Sequence, residues 1–343
     1  MSEFLNYLTE EGAVLENGRV TSFKDDAKAY NALQNNAIVV PLGTAALRVT
    51  GADRLEFVHG QVSNEVKRLS VGEFSDSLML NHKGHALAQM RVVRRKDDLL
   101  VFIEGSASVF VKQQLEAHII FDQVELEPLN WVSLSVQGAD AASILEQSLG
   151  SGLPTGKEFL TSTFEGAEVL ISASTRSVQG GFDLATSADA GAGLTRTLLD
   201  GGATLVGEEA LNLARVSAGI PHAEYEGGEG SLPQEAGLEP LISYTKGCYL
   251  GQEIMARIEA RGNLRRSLHG LKLENMPDPE ARDIELDGKR VGRLGTVVEH
   301  PDLGVIALAI LRNDIDPKAT LFIGETEGRL EPLPFKAVSK TEG

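Results

Sequence analysis

Lys246-Gly247-Cys248-Tyr249-Leu250-Gly251-Gln252-Glu253 holds the only cysteine of a 343-residue chain and sets it beside a cation, an aromatic ring and the start of a helix. A single cysteine cannot close an intrachain disulfide. Cys248 therefore acts as a free thiol, as a small buried apolar group, or with sulfur or metal supplied by another molecule. Downstream, Gln252 to Arg261 is rich in helix formers, carries Ile254 and Ile258 four apart and runs into Gly262, which predicts a short helix from about Gly251. Cys248 then stands just ahead of a helix N-terminus and two residues after Lys246, and both features favour an anion nearby.

Working outward, the chain is too long for one small module, and two or three domains with substantial cores are expected. Its formal net charge of −17 and its pI near 4.9 argue against broad electrostatic binding of nucleic acid or of an anionic membrane. The first residues, Met1 to Glu11, lack a basic stretch followed by an apolar run, so no secretory signal is read there. No segment reaches the roughly 20 apolar residues of a membrane helix. One cysteine without paired spacing fits a reducing compartment, and the cytoplasm is the expected location.

Helix and strand signals alternate without a repeat. Leu55, Val58, Val62 and Val66 predict a helix from about Asp53 to Leu69; further helices are read over Val109 to Ile119, Ala139 to Leu149, Leu194 to Leu199 and Glu208 to Ala218. Strands are read at Leu99 to Ile103, Val132 to Val136 and Val169 to Ala173. After about Gly262 the pattern changes to short runs with turn signals, the texture of a small β-barrel or sandwich. The mixture is α+β. Neither a dinucleotide fingerprint nor a phosphate-binding loop occurs, and no nucleophile elbow supports hydrolysis. His82 and His85 flank a Lys83-Gly84 turn with no further ligand at metal spacing, so no metal is expected.

The stretches Leu232 to Leu238, Lys246 to Glu253, Ala256-Arg257 and Arg261-Gly262 with Arg265-Arg266 closely resemble the YgfZ family of folate-binding proteins. Ser63-Asn64-Glu65-Val66, Met79-Leu80-Asn81, Gly180 to Asp183, Ala214 to Gly219 and Val291 to Gly295 extend the likeness to the wider superfamily of the glycine-cleavage T protein, an aminomethyltransferase. The resemblance implies two intertwined α+β subdomains around a central opening, over residues 1–262, followed by a C-terminal β-barrel over 263–343. It also implies tetrahydrofolate or a one-carbon derivative as the ligand. The implied function is support of iron–sulfur cluster assembly or repair in client enzymes, tRNA-modifying ones included, with client or assembly proteins as partners. The alternative is a folate-dependent aminomethyltransferase or demethylase.

Folate presents a pterin with a donor edge, an aromatic linker and glutamate carboxylates, so its site needs an acceptor carboxylate, apolar walls and cations. By likeness to the transferases, Asp183 in Gly181-Phe182-Asp183 takes the pterin edge, one methylene shorter than their Glu, while Arg215 and Asn81 line the same pocket. Glu235 is expected to face the opening too. Asn64 and Glu65 stand where the transferases carry Asn-Asp, and the longer Glu65 shifts the reacting acid on the order of 1 Å, which weakens aminomethyl transfer. Cys248, with Lys246 beside it, is the expected functional thiol. The arginines at 257, 261, 265 and 266 are read as solvated or paired with neighbours such as Glu253, with a folate polyglutamate tail or an acidic partner as the alternative.

Overall fold

In the computed structural model, residues 3–23, 29–150, 152–228 and 230–336 are described. After a two-stranded hairpin over 13–23, two antiparallel-based sheets are built from strands between 38 and 205, and the chain crosses between them twice. Ile38–Leu42 belongs to a six-stranded sheet and Thr44–Thr50 to a five-stranded one, with only Gly43 between; Glu125–Leu129 returns through Asn130 to Trp131–Gln137 of the first. Thr44 Oγ1 donates to Ser133 Oγ at 2.7 Å across the two crossings. This sharing of strands is what intertwines the two halves.

The first sheet runs in the order 159–164, 167–174, 181–187, 131–137, 38–42 and 204–205, the last pair parallel. The second runs 74–80, 86–94, 99–104, 44–50 and 125–129. Each has its own apolar core on the outer, helix-covered side: Leu134, Ile171 and Leu184 with Leu194 and Leu198 in one, Val49, Met90 and Val101 with Phe57, Val111 and Leu115 in the other. Ala46, Phe74, Leu100, Phe102, Leu170 and Ala185 pack the two sheets against each other. Full burial of each Leu or Phe side chain among them contributes about 1.5–3 kcal/mol, and the alternation of apolar and polar residues along Ala86–Arg94 follows from the period-two geometry of a strand between two environments.

The expected long helix over 53–69 is corrected. The helix spans Arg54–Gln61, and Val62 is already extended. Ser63 ends it: its N–H donates to Leu78 O at 2.8 Å, its Oγ donates to Leu241 O at 2.6 Å and accepts the Leu78 N–H at 2.9 Å. Val62 and Val66 still reach the core, from a turn in place of a helix. Four other expected helices are found over Ser108–His118, Ala141–Leu149, Glu208–Ser217 and Gln252–Arg261; the one expected over Leu194 to Leu199 begins six residues earlier, at Ala188, and helices over Glu3–Glu10 and Ala29–Asn35 were not expected.

A closed six-stranded barrel occupies residues 266–331, in the order 266–273, 304–312, 289–300, 283–286, 321–323 and 326–331. Leu271, Ile284, Leu294, Ala307, Leu311 and Leu321 fill it. The barrel docks on the helix Glu208–Ser217 through Val216, Ile306, Leu308 and Phe335. No helix among the described residues is long and apolar enough to cross a membrane.

Candidate functional site

Where the two sheets, the helix Glu208–Ser217 and the segment 237–241 meet, they enclose a cavity of about 680 Å³. This lies within the range of about 300–1,000 Å³ typical of small-molecule sites. Phe74, Leu42, Leu211, Ile220, Leu238 and Leu241 give it apolar walls. Its polar floor is a run of alternating charges. Arg91 holds Asp76 through two hydrogen bonds, Nε to Oδ1 at 2.7 Å and Nη2 to Oδ2 at 3.0 Å, and its Nη1 reaches Asp183 at 3.4 Å. Arg176 donates to the same Asp183 at 2.8 Å and to both oxygens of Glu104 at 2.8 and 3.0 Å. Glu104 Oε2 in turn lies 2.9 Å from His222 Nε2. His222 Nδ1 accepts the Glu224 N–H at 3.3 Å, so the proton sits on Nε2 and is donated to Glu104.

Four of these charges are buried to within 15% exposure, and the pairing decides their ionisation. Burial pushes the Glu104 carboxyl up, but Arg176 and His222 outweigh it and hold it well below the usual carboxylate range. Burial likewise opposes the Asp183 charge, and Arg176 and Arg91 together bring its pKa below the ordinary value. Asp76 differs from both. Its side chain is 36% exposed and lines the cavity, so each oxygen keeps an open lone pair beside the one that Arg91 occupies.

The residues singled out in the sequence are distributed unevenly around this cavity. Asn64 and Arg215 line it. Asn64 Nδ2 donates to Asp76 O at 2.9 Å, which fixes it next to the exposed carboxylate. Arg215 is committed elsewhere: it bonds Asn212, Ile220 O, Thr296 and the fully buried Glu226, and so ties the helix to the barrel. Asp183 borders a small annex of about 30 Å³ behind Arg91 and Arg176 and is absent from the lining of the main cavity. The expected pterin acceptor is thus screened by two guanidinium groups.

Glu65 does not enter the cavity either. Its Oε1 lies 3.3 Å from His59 Nδ1 and accepts the Arg68 N–H at 3.1 Å, an arrangement that stabilises the turn after the shortened helix. Glu235 pairs with Arg266 at 2.7 and 3.1 Å and anchors its loop to the first barrel strand. Asn81 Oδ1 accepts the N–H groups of Lys83 and His85 at 2.9 and 3.0 Å, a hairpin turn that packs on the cysteine stretch: a Cβ at Gly251 would stand 2.9 Å from Asn81 O. Among the described residues no group of three or more His, Cys, Asp or Glu is arranged to hold a metal ion.

Cys248 is exposed and precedes the helix Gln252–Arg261, with Gly251 in the left-handed conformation at φ 85°. Exposure removes the reading of the thiol as a core filler. Lys246 is 5% exposed and donates to the carbonyls of His59, Val62 and Asn64, with Asn64 O at 3.0 Å. Three carbonyls engage the three donors of its ammonium, so none is left for a sulfur anion. Burial pushes its pKa down to about 8, opposed by the Glu65 charge. Arg257 pairs with Glu253 at 2.8 Å on the exposed helix face, as expected.

Sequence reasoning missed Asp76, Arg91, Glu104, Arg176 and His222. Asp76 and Arg91 did leave a signal, since they are opposite charges directly across from each other in the hairpin 74–94. Arg176 and Glu104 lie 72 residues apart in the chain, and nothing local announces their meeting.

Two sheets sharing crossed strands, a cavity at their junction and an appended barrel define the glycine-cleavage T-protein class. The chain belongs to the family of the GCVT N-terminal domain, whose model matches residues 10–246. It is 29% identical over 301 residues to the tRNA-modifying protein YgfZ of Escherichia coli, covering 85% of this chain and 90% of that one. A putative chloroplastic transferase of Arabidopsis thaliana, At1g60990, is 29% identical over 300 residues, 85% of this chain and 69% of that one. The crystal structure of the glycine cleavage aminomethyltransferase T from Bartonella henselae superposes with a TM-score of 0.84 over 98% of both chains, at 18% identity.

Proposed function

We propose that the protein binds a reduced folate in the 680 Å³ cavity and supports iron–sulfur cluster assembly or repair in client enzymes, tRNA-modifying ones among them, with Cys248 as a functional thiol. The observation that carries the folate reading is Asp76: a partly exposed carboxyl acceptor beside Phe74, inside a cavity of suitable size in a chain of this family. Asp76 would accept the donor edge of the pterin, with Phe74 and Leu241 against its faces and Asn64 adjoining. Lys157 is exposed at the rim and makes no ion pair among the described residues, which suits it to the glutamate carboxylates of the tail. Arg91 and Arg176 hold the floor rigid and keep the neighbouring carboxylates charged. A reduced folate supplies a carrier for one-carbon units when bound.

Aminomethyl transfer is the second reading, and the position of Glu65 weighs against it. The acid that stands in for the transferases' aspartate is turned to His59 and away from the cavity. Cys248 offers one accessible sulfur, enough for a transient ligand to a cluster and too little to hold one unaided. The protein is expected in the cytoplasm, with client or assembly proteins as partners.

Two experiments test this. Co-crystals with 5-formyltetrahydrofolate should show the pteridine between Phe74 and Leu241 with its donor edge at Asp76; density at another place refutes the assignment. In cells lacking the native protein, Cys248→Ala should fail to restore the activity of iron–sulfur enzymes while Glu65→Gln restores it. The reverse pattern favours the transferase.

A further inference from the structure

The segments 59–65 and 240–246 lie side by side between the cavity and the cysteine turn, joined by bonds that run in both directions. Ser243 N donates to Ser63 O at 2.9 Å and Ser63 Oγ to Leu241 O at 2.6 Å. Lys246 closes the far end, its ammonium inserted among the carbonyls of His59, Val62 and Asn64. One end of this pair belongs to the cavity, which Asn64, Pro240 and Leu241 line; the other end is outside it, and neither Lys246 nor Cys248 touches the cavity. Tyr249 is drawn in as well, with its ring 4.8 Å from Lys246 Nζ, and Gln252 Nε2 reaches Lys246 O at 3.4 Å. Cys248 is thus suspended between residues that Lys246 holds.

We infer that Lys246 is a positioning residue that transmits occupancy of the cavity to the Cys248 turn. A ligand resting on Asn64 and Leu241 restrains the 59–65 segment. That segment presents the three carbonyls that hold Lys246, so the turn 247–251 is ordered in step with it. Buried ammonium groups are rare without such compensation, and its removal leaves three carbonyls without their donor. The inference rests on the folate reading for the identity of the ligand, and extends it from binding to control of the thiol.

Hydrogen exchange read by mass spectrometry, with and without 5-formyltetrahydrofolate, separates the two ideas. In the wild type, binding should slow exchange at 237–241, where the cavity wall lies, and slow it at least about fivefold at 244–252, the low end of common coupling strengths. In Lys246→Met the protection at 237–241 should remain and that at 244–252 should vanish. Protection confined to 237–241 in the wild type overturns the coupling and leaves the folate reading intact, whether or not the variant folds. Protection at 244–252 that survives in the variant overturns Lys246 as the link. No protection anywhere removes the folate reading and this inference with it.

Discussion

The floor of the cavity and the turn around Cys248 both concentrate chemical groups, yet they treat them in opposite ways. In the floor, Asp183, Glu104, Arg91 and Arg176 neutralise one another, and Asp76 is the most exposed of its carboxylates. In the turn, the charge of Lys246 is buried among backbone carbonyls and the sulfur is left in the open. The first arrangement builds a rigid, selective surface for a ligand. The second displays one reactive atom to whatever approaches from outside. A motif that is long and local in sequence therefore marks the exposed chemistry, whereas the residues that shape the cavity come together only in three dimensions.

The sharpest way to break the floor is Arg176→Met. It leaves Glu104 and Asp183 buried without their main partner and is expected to lower stability by about 3–5 kcal/mol in urea unfolding. The pH dependence of stability should follow from the same residue. Both carboxyls have folded pKa values below their unfolded ones near 4, so the stability they contribute is full above that range and is lost as pH falls through the folded values. Acid titration of the wild type should show this slope, and in Arg176→Met it should be much reduced. A smaller effect belongs to the ligand: Asp76→Asn should weaken folate binding by about 1.5–3 kcal/mol, the contribution of a hydrogen bond to a charged acceptor, and it should cost less stability than Arg176→Met, since Arg91 loses a charged partner but keeps the amide oxygen and Asp183. The turn gives the smallest change. Cys248→Ala should shift the unfolding free energy by less than about 0.5 kcal/mol, since the side chain is exposed, while removing thiol-dependent function.

Much of the fold was legible because apolar spacing is local. The helix Ser108–His118 and the strands around Leu99 and Val132 follow from it directly, and the closely spaced turns after Gly262 mark the barrel. The error at Asp53 to Leu69 has a specific origin. Val62 and Val66 continue the helical spacing, but Ser63 gains bonds to Leu78 and Leu241 that no helix offers, and tertiary pairing overrides periodicity. The site was legible in part for a related reason. Likeness to the transferases located the Asn64 turn and the Asp183 strand, but it cannot say toward which partner a side chain turns. Arg176 and Arg91 screen Asp183, and Glu65 finds His59, through contacts between residues far apart in the chain or across a turn.

The central claim is that a folate-shaped ligand is recognised at Asp76, separately from the thiol. Calorimetric titration of wild type, Asp76→Asn and Cys248→Ala with tetrahydrofolate tests it most directly. Saturable one-to-one binding in the wild type, weakened at least about tenfold in Asp76→Asn and unchanged in Cys248→Ala, is the predicted result. Equal affinity in the wild type and Asp76→Asn, or no binding at all, would contradict it.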